Sequence, residues 1–101
     1  MNATSGPERT PDGRHIIVGG RRWRAMDPAL PERLTAPLKS ELGSARSRIR
    51  TAPDDAGRAA LRDRVQLAKE GLGERGTAWW EMDEGDRTSR AEDRLRRLQE
   101  E

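Results

Sequence analysis

The chemistry-bearing side chains of this chain crowd one short stretch, where Arg14, Arg21, Arg22, Trp23 and Arg24 stand within eleven residues. A guanidinium fork pairs bidentately with phosphate or carboxylate, and an exposed indole stacks a nucleobase, so this stretch has the makings of a nucleic-acid contact. Its plainer reading is that Trp23 belongs to a core and the arginines keep a short two-strand edge from aggregating. Enzymatic residues are scarcer. His15 is the single histidine, and a general base needs an orienting partner that the spacing does not supply, so it reads as a solvated strand residue and the chain as a non-enzyme. Asp83, Glu84 and Asp86 could gather a divalent cation, yet they lack the calcium-loop spacing and its distal Glu, which leaves a solvated acidic turn. Gly19-Gly20 has neither the strand-to-helix setting nor the further glycines of a phosphate-binding loop. With no Cys in the sequence, disulfides, thiolate metal sites and cysteine nucleophiles are excluded, and the expectation is a cytoplasmic protein without cofactor or metal.

Elements must hold these residues in place. Gly19-Gly20 lies between two β-prone runs, the pattern of a two-residue hairpin whose turn needs positive φ. Pairing Val18 with Arg21, Ile17 with Arg22, Ile16 with Trp23 and His15 with Arg24 sorts the side chains onto two faces. Ile16, Val18, Trp23 and Ala25 share one with the stem of Arg21, and His15, Ile17, Arg22 and Arg24 share the other. The first is the expected core face, because a lone hairpin is marginal in water and must lie on something apolar. Helices supply it. Asp27-Pro28 and Leu30-Pro31 turn the chain away, a short helical turn is expected at 31–34, and a fresh start follows with Thr35 as N-cap and Pro37 in its first turn. Leu34, Leu38, Leu42, Ala45, Ile49 and Ala52 then recur at helical spacing. Thr51 to Asp55 stops that helix and restarts the next with an Asp cap; Leu61, Val65, Ala68 and Leu72 give the second a matching stripe, ended by Gly73. At least one of Trp79 and Trp80 is placed to close the core over Trp23.

A chain of 101 residues with 38% charged and 32% hydrophobic residues fits one small domain with loose ends. Residues 1–13 mix Pro, Gly, Ser, Thr and charge without periodicity and are expected to be disordered, and 14–82 form the single domain. Over 83–101 a charged tail carries a capping box at Ser89–Glu92 and a thin stripe of Ala91, Leu95 and Leu98, which predicts a short, fraying helix. No stretch approaches the roughly 20 apolar residues of a membrane span, so no membrane partner is expected. The net charge of +2 is too small to argue for nucleic acid by itself. Its distribution is lopsided: the first fifty residues hold ten basic and five acidic side chains, the remainder ten and thirteen. Such an asymmetry suits head-to-tail self-association or an anionic partner for the first half.

Arg21-Arg22-Trp23-Arg24 before Asp27-Pro28, and Leu72-Gly73-Glu74-Arg75-Gly76 before Trp79-Trp80-Glu81, resemble a family of small uncharacterised actinobacterial proteins whose members often carry the label "biopolymer transporter Tol". The resemblance covers about residues 16–81. It implies no catalytic residues, and transport is not carried over, because these residues include no spanning segment. Family members often continue into a second, winged-helix-like domain, which implies that Asp86 to Glu101 is a relic of its start.

The sequence therefore predicts an α+β, mainly helical fold: a short β-hairpin packed on an antiparallel two-helix hairpin, with a flexible N-terminus and a weakly helical C-terminal tail. Ile16, Val18, Trp23, Leu38, Leu42, Ile49, Leu61, Val65 and Leu72 are the expected core. The expected function is a non-catalytic protein-interaction module working through helix faces, by pairing with another copy or with a partner's helix. Arg21, Arg22, Arg24, Arg46, Arg50, Trp79 and Trp80 are its candidate contact surface. Nucleic-acid binding through the Arg/Trp hairpin is the alternative.

Overall fold

The computed structural model describes residues 8–100. Three short strands, β1 (Glu8–Arg9), β2 (His15–Val18) and β3 (Arg21–Arg24), form an antiparallel sheet in the order β1-β2-β3. Gly19 and Gly20 take φ of 58° and 79°, a region that L side chains rarely enter, so the pair allows the tight reversal between β2 and β3. The register is the expected one, with Ile16 opposite Trp23 and His15 opposite Arg24.

β1 overturns part of the disorder expected over 1–13. Thr10-Pro11-Asp12-Gly13 is a turn: Asp12 Oδ1 accepts the Thr10 hydroxyl at 2.7 Å and the Arg14 N–H at 3.0 Å. These bonds, the Thr10 bond foremost, hold the Asp12 carboxyl below its ordinary range and return the chain so that Glu8 pairs with Ile17. Residues 1–7, on which the rest of that expectation falls, lie outside the described residues.

Three helices carry the core: α1 (Glu32–Ile49), α2 (Asp55–Leu72) and α3 (Glu84–Glu100). α1 runs unbroken through Pro37, so Thr35 is not an N-cap; its N–H already bonds the Pro31 carbonyl at 3.1 Å. An interior proline costs about 3 kcal/mol, but full burial of a Leu returns about 1.5–3 kcal/mol, and Leu34, Leu38 and Leu42 are all buried on the continuous stripe. α2 follows expectation at both ends. The Asp54 carboxylate accepts from the Gly57 N–H at 2.8 Å, and Gly73, with φ of 87°, ends the helix in the left-handed region.

The fraying tail expected over 83–101 is instead α3, packed along the helical pair. Ala91, Leu95 and Leu98 are buried with Leu34, Leu38, Leu42, Ala68 and Leu72 in one cluster, while Arg94 Nε bonds Glu70 at 2.7 Å and Arg64 Nη2 bonds the Leu98 carbonyl at 3.1 Å. Three apolar residues suffice when each is fully covered and the charges beside them are paired. Asp86 to Glu100 is therefore part of this domain's core structure.

The third helix changes what the hairpin must do. Leu38, Leu42, Leu61 and Leu72 are buried as expected, and Ile16, Ile49 and Val65 are partly buried. Val18 and Trp23, expected in the core, are 49% and 41% exposed, because α3 already covers the seam that the hairpin was expected to seal. Trp79 takes the closing role: it is buried in the short 3-10 turn Trp79–Glu81, and its indole N–H donates to the Ala25 carbonyl at 2.9 Å.

One buried carboxylate ties these parts together. Asp27, 1% exposed, accepts Nε of Arg87 at 2.7 Å, a second Arg87 bond through Nη2, and the Ala29 N–H at 2.8 Å. Its own N–H donates to the Leu72 carbonyl at 2.9 Å. The Arg87 guanidinium in turn lies 5.2 Å over the Trp79 ring. The fold is thus α+β and mainly helical, and among the described residues no helix is long and apolar enough to cross a membrane.

Candidate functional site

Because the hairpin is not the lid of the core, its apolar face is left partly open. Ile16, Val18 and Trp23 form one wall of a cleft of about 450 Å³; Leu42 and Arg46 of α1, Lys69 of α2, and the Glu74-Arg75 turn form the other, with Arg24 at the edge. The volume is that of a site for a small ligand or a few side chains. Val18 and Trp23 are the exposed large hydrophobic residues among those described. Side by side they leave a small apolar floor, ringed by polar groups and open to solvent.

The ring of charge around this floor is one-sided. Arg24, Arg46, Lys69 and Arg75 face the single carboxylate of Glu74, and Arg21 stacks its guanidinium 4.8 Å from the centre of the Trp23 ring. Lys69 lies on the same indole at 5.9 Å. Among the described residues none of these cations makes an ion pair, whereas Arg33, Arg58, Arg64, Arg87, Arg94, Arg96 and Arg97 all do. Neutral acceptors position two of them: Arg24 Nη1 donates to the Gly76 carbonyl and Arg75 Nη1 to Gln66 Oε1, both at 2.7 Å. Burial, reinforced by the positive charges of Arg75 and Arg46, pushes the Lys69 ammonium below its ordinary value. Glu74 opposes this only in part, and a bound carboxylate would add further opposite charge.

The other face of the hairpin is occupied. Trp80 lies there, tilted against His15 at 5.5 Å, with Arg14 at 5.0 Å and Arg24 at 5.7 Å from its ring, and meets Trp79 edge-on at 5.1 Å. His15 is thus a packing partner of an indole, with no carboxylate orienting its ring among the described residues. No group of three or more His, Asp or Glu side chains is gathered to hold a metal among the described residues.

Of the sequence-predicted surface, Arg24 and Arg46 line the cleft and Arg21 caps its indole. Arg22 is exposed on the opposite face of β3, and Arg50, at the C-cap of α1, stands outside the cleft lining. Trp79 is core and Trp80 is half-buried, so neither presents a free contact surface. Sequence reasoning missed Lys69, Glu74 and Arg75. Their signal was present in part, because Lys69 lies between the stripe residues Ala68 and Leu72 and the Glu74-Arg75 pair follows a C-terminal glycine. No family model, curated protein or solved structure matches the chain.

Proposed function

We propose that this chain is a non-catalytic binding module whose cleft receives an acidic protein segment carrying an apolar side chain. The observation that supports it is the coincidence of the exposed Trp23 and Val18 with Arg24, Arg46, Lys69 and Arg75, none of which makes an ion pair among the described residues. Helix faces are a poorer contact surface than the sequence suggested, since α3 covers the seam and Asp93, Arg94, Arg96 and Arg97 along it are already paired. An apolar side chain from a partner gains by leaving water, while flanking carboxylates meet Arg46, Lys69 and Arg75; the first supplies affinity and the second orientation and encounter rate. The absence of Cys fits a cytoplasmic setting for this role. Kinship with the small actinobacterial family belongs to the same proposal, and both of its most specific stretches contribute to the cleft, through Trp23 and Arg24 and through Glu74 and Arg75.

A second reading, single-stranded nucleic acid, is favoured by the exposed indole beside Arg21. It ranks lower because a phosphate backbone wants a continuous basic stripe, and here Glu74 interrupts the cleft and the net charge is +2.

NMR distinguishes them through the indole N–H signal of Trp23. A peptide of alternating Glu and Leu is expected to shift it, with affinity falling as salt rises, while a matched Lys/Leu peptide leaves it unmoved. Silence toward the acidic peptide at millimolar concentration would end the proposal, and tighter binding of a short oligonucleotide at equal salt would replace it with the second reading.

A further inference from the structure

The acidic segment that fits the cleft is present in the chain itself. Glu81, Asp83, Glu84 and Asp86 are exposed, with the partly exposed Met82 among them, and among the described residues none of the four makes an ion pair. Glu84 and Asp86 also stand in the first turn of α3, where the helix dipole welcomes them, but that interaction is weak and leaves their outward charge unspent.

This segment is held away from its own cleft. Trp80, one residue before it, packs on the hairpin face that carries His15, whereas the cleft opens on the face of Ile16, Val18 and Trp23. One residue after it, Arg87 is locked to the buried Asp27. Pinned at both ends, residues 81–86 can meet such a cleft only on another molecule.

We infer that the cleft of one copy takes the Glu81–Asp86 segment of a second copy, in a head-to-tail contact that rests on the docking role proposed above. Arg46, Lys69 and Arg75 on one side face Glu81, Asp83 and Glu84 on the other, and Met82 supplies the apolar side chain that meets Trp23. The two surfaces are different, so the contact is heterologous: it extends into chains unless the rotation between copies closes a ring. Charge complementarity carries the choice of partner, and it matches the excess of basic residues in the first half of the sequence and of acidic residues in the second.

Sedimentation of the full chain tests this from micromolar to millimolar protein. At about 50 mM salt the weight-average mass is expected to rise with concentration, and at about 500 mM the association constant is expected to fall at least about tenfold. Two charge-reversed variants sharpen the result: Arg46→Glu with Lys69→Glu, and Asp83→Lys with Glu84→Lys. Each alone is expected to remain monomeric with an unchanged circular dichroism spectrum, and an equimolar mixture to associate again. A wild-type chain that stays monomeric at millimolar concentration and low salt overturns the inference without help from any variant. If that monomer still binds the Glu/Leu peptide through Trp23, the docking role stands and only the identity of the partner falls.

Discussion

The molecule contains the same chemical pair twice, a guanidinium on an indole, and uses it in two ways. Arg87 lies 5.2 Å over Trp79, and Arg21 lies 4.8 Å over Trp23. In the first pair the guanidinium is saturated by the buried Asp27 and the indole N–H is satisfied by a backbone carbonyl. In the second the charge is unpaired and the ring only partly covered: Arg21 makes no ion pair among the described residues, and Trp23 is 41% exposed. Composition cannot separate the two, because arginine is spread along the whole chain. The nearest carboxylate does. In the first pair a carboxylate commits the cation to the fold, and in the second none does, which leaves the cation available to a partner.

Truncating the two indoles should split them most widely. Trp79→Ala is expected to cost about 4–5 kcal/mol, near the upper end for a large aromatic, since it also strands the Ala25 carbonyl. Trp23→Ala should change stability by no more than about 1 kcal/mol while weakening binding of the acidic peptide, followed at the backbone amide signals of Val18, Lys69 and Arg75. Urea unfolding measures both, and equal losses would erase the contrast. The arginines should follow in smaller proportion. Removing Arg87 leaves a carboxylate buried and alone, for about 3–5 kcal/mol, whereas Arg21→Ala should lie within about 0.5 kcal/mol of wild type.

Titration gives the smallest effect. Burial acts to raise the Glu70 carboxyl, but hydrogen bonds from Gln66 and Arg94, with the charges of Arg94 and Arg90, hold it below its ordinary 4.5. Its stabilising contribution is therefore complete above pH 4.5 and is lost as pH falls through the lower folded value. Lys69 works against the fold at neutral pH. Its folded ammonium sits below its ordinary 10.5, so stability should rise as pH climbs through that lowered value toward 10.5. Unfolding midpoints across pH check both: Glu70→Gln should flatten the acid limb, and Lys69→Gln should remove the alkaline rise without lowering stability at neutral pH.

The parts of the fold legible in the sequence are those set by local rules. Gly19-Gly20 fixed the hairpin register, and the Leu stripes with Asp54 and Gly73 marked both helices and their ends, because turn chemistry, capping and 3.6-residue spacing act over a few neighbours. Thr10-Pro11-Asp12-Gly13 was equally local and was passed over, since a turn signal counts for little when the strand before it is two residues long. What stayed hidden depends on partners far along the chain. Ala91, Leu95 and Leu98 look too sparse for a core until two other helices are seen to cover them. Asp27 reads as a turn residue before proline, and no spacing rule links it to Arg87. The candidate site was half legible for the same reason: Arg21, Arg24 and Trp23 advertise themselves, but that Lys69 and Arg75 share a cleft with Trp23 depends on how the hairpin lies against α1 and α2.

The ion pair at the centre of the fold joins residues 60 positions apart. During translation the hairpin emerges early with its acidic anchor unanswered, and it must wait for the last helix before that charge can be shut away from water. Products broken off before Arg87 would carry a stranded carboxylate where the native chain has a buried ion pair. Such fragments should fail to close and be cleared by proteases, so that folding is completed in one late step and not strand by strand.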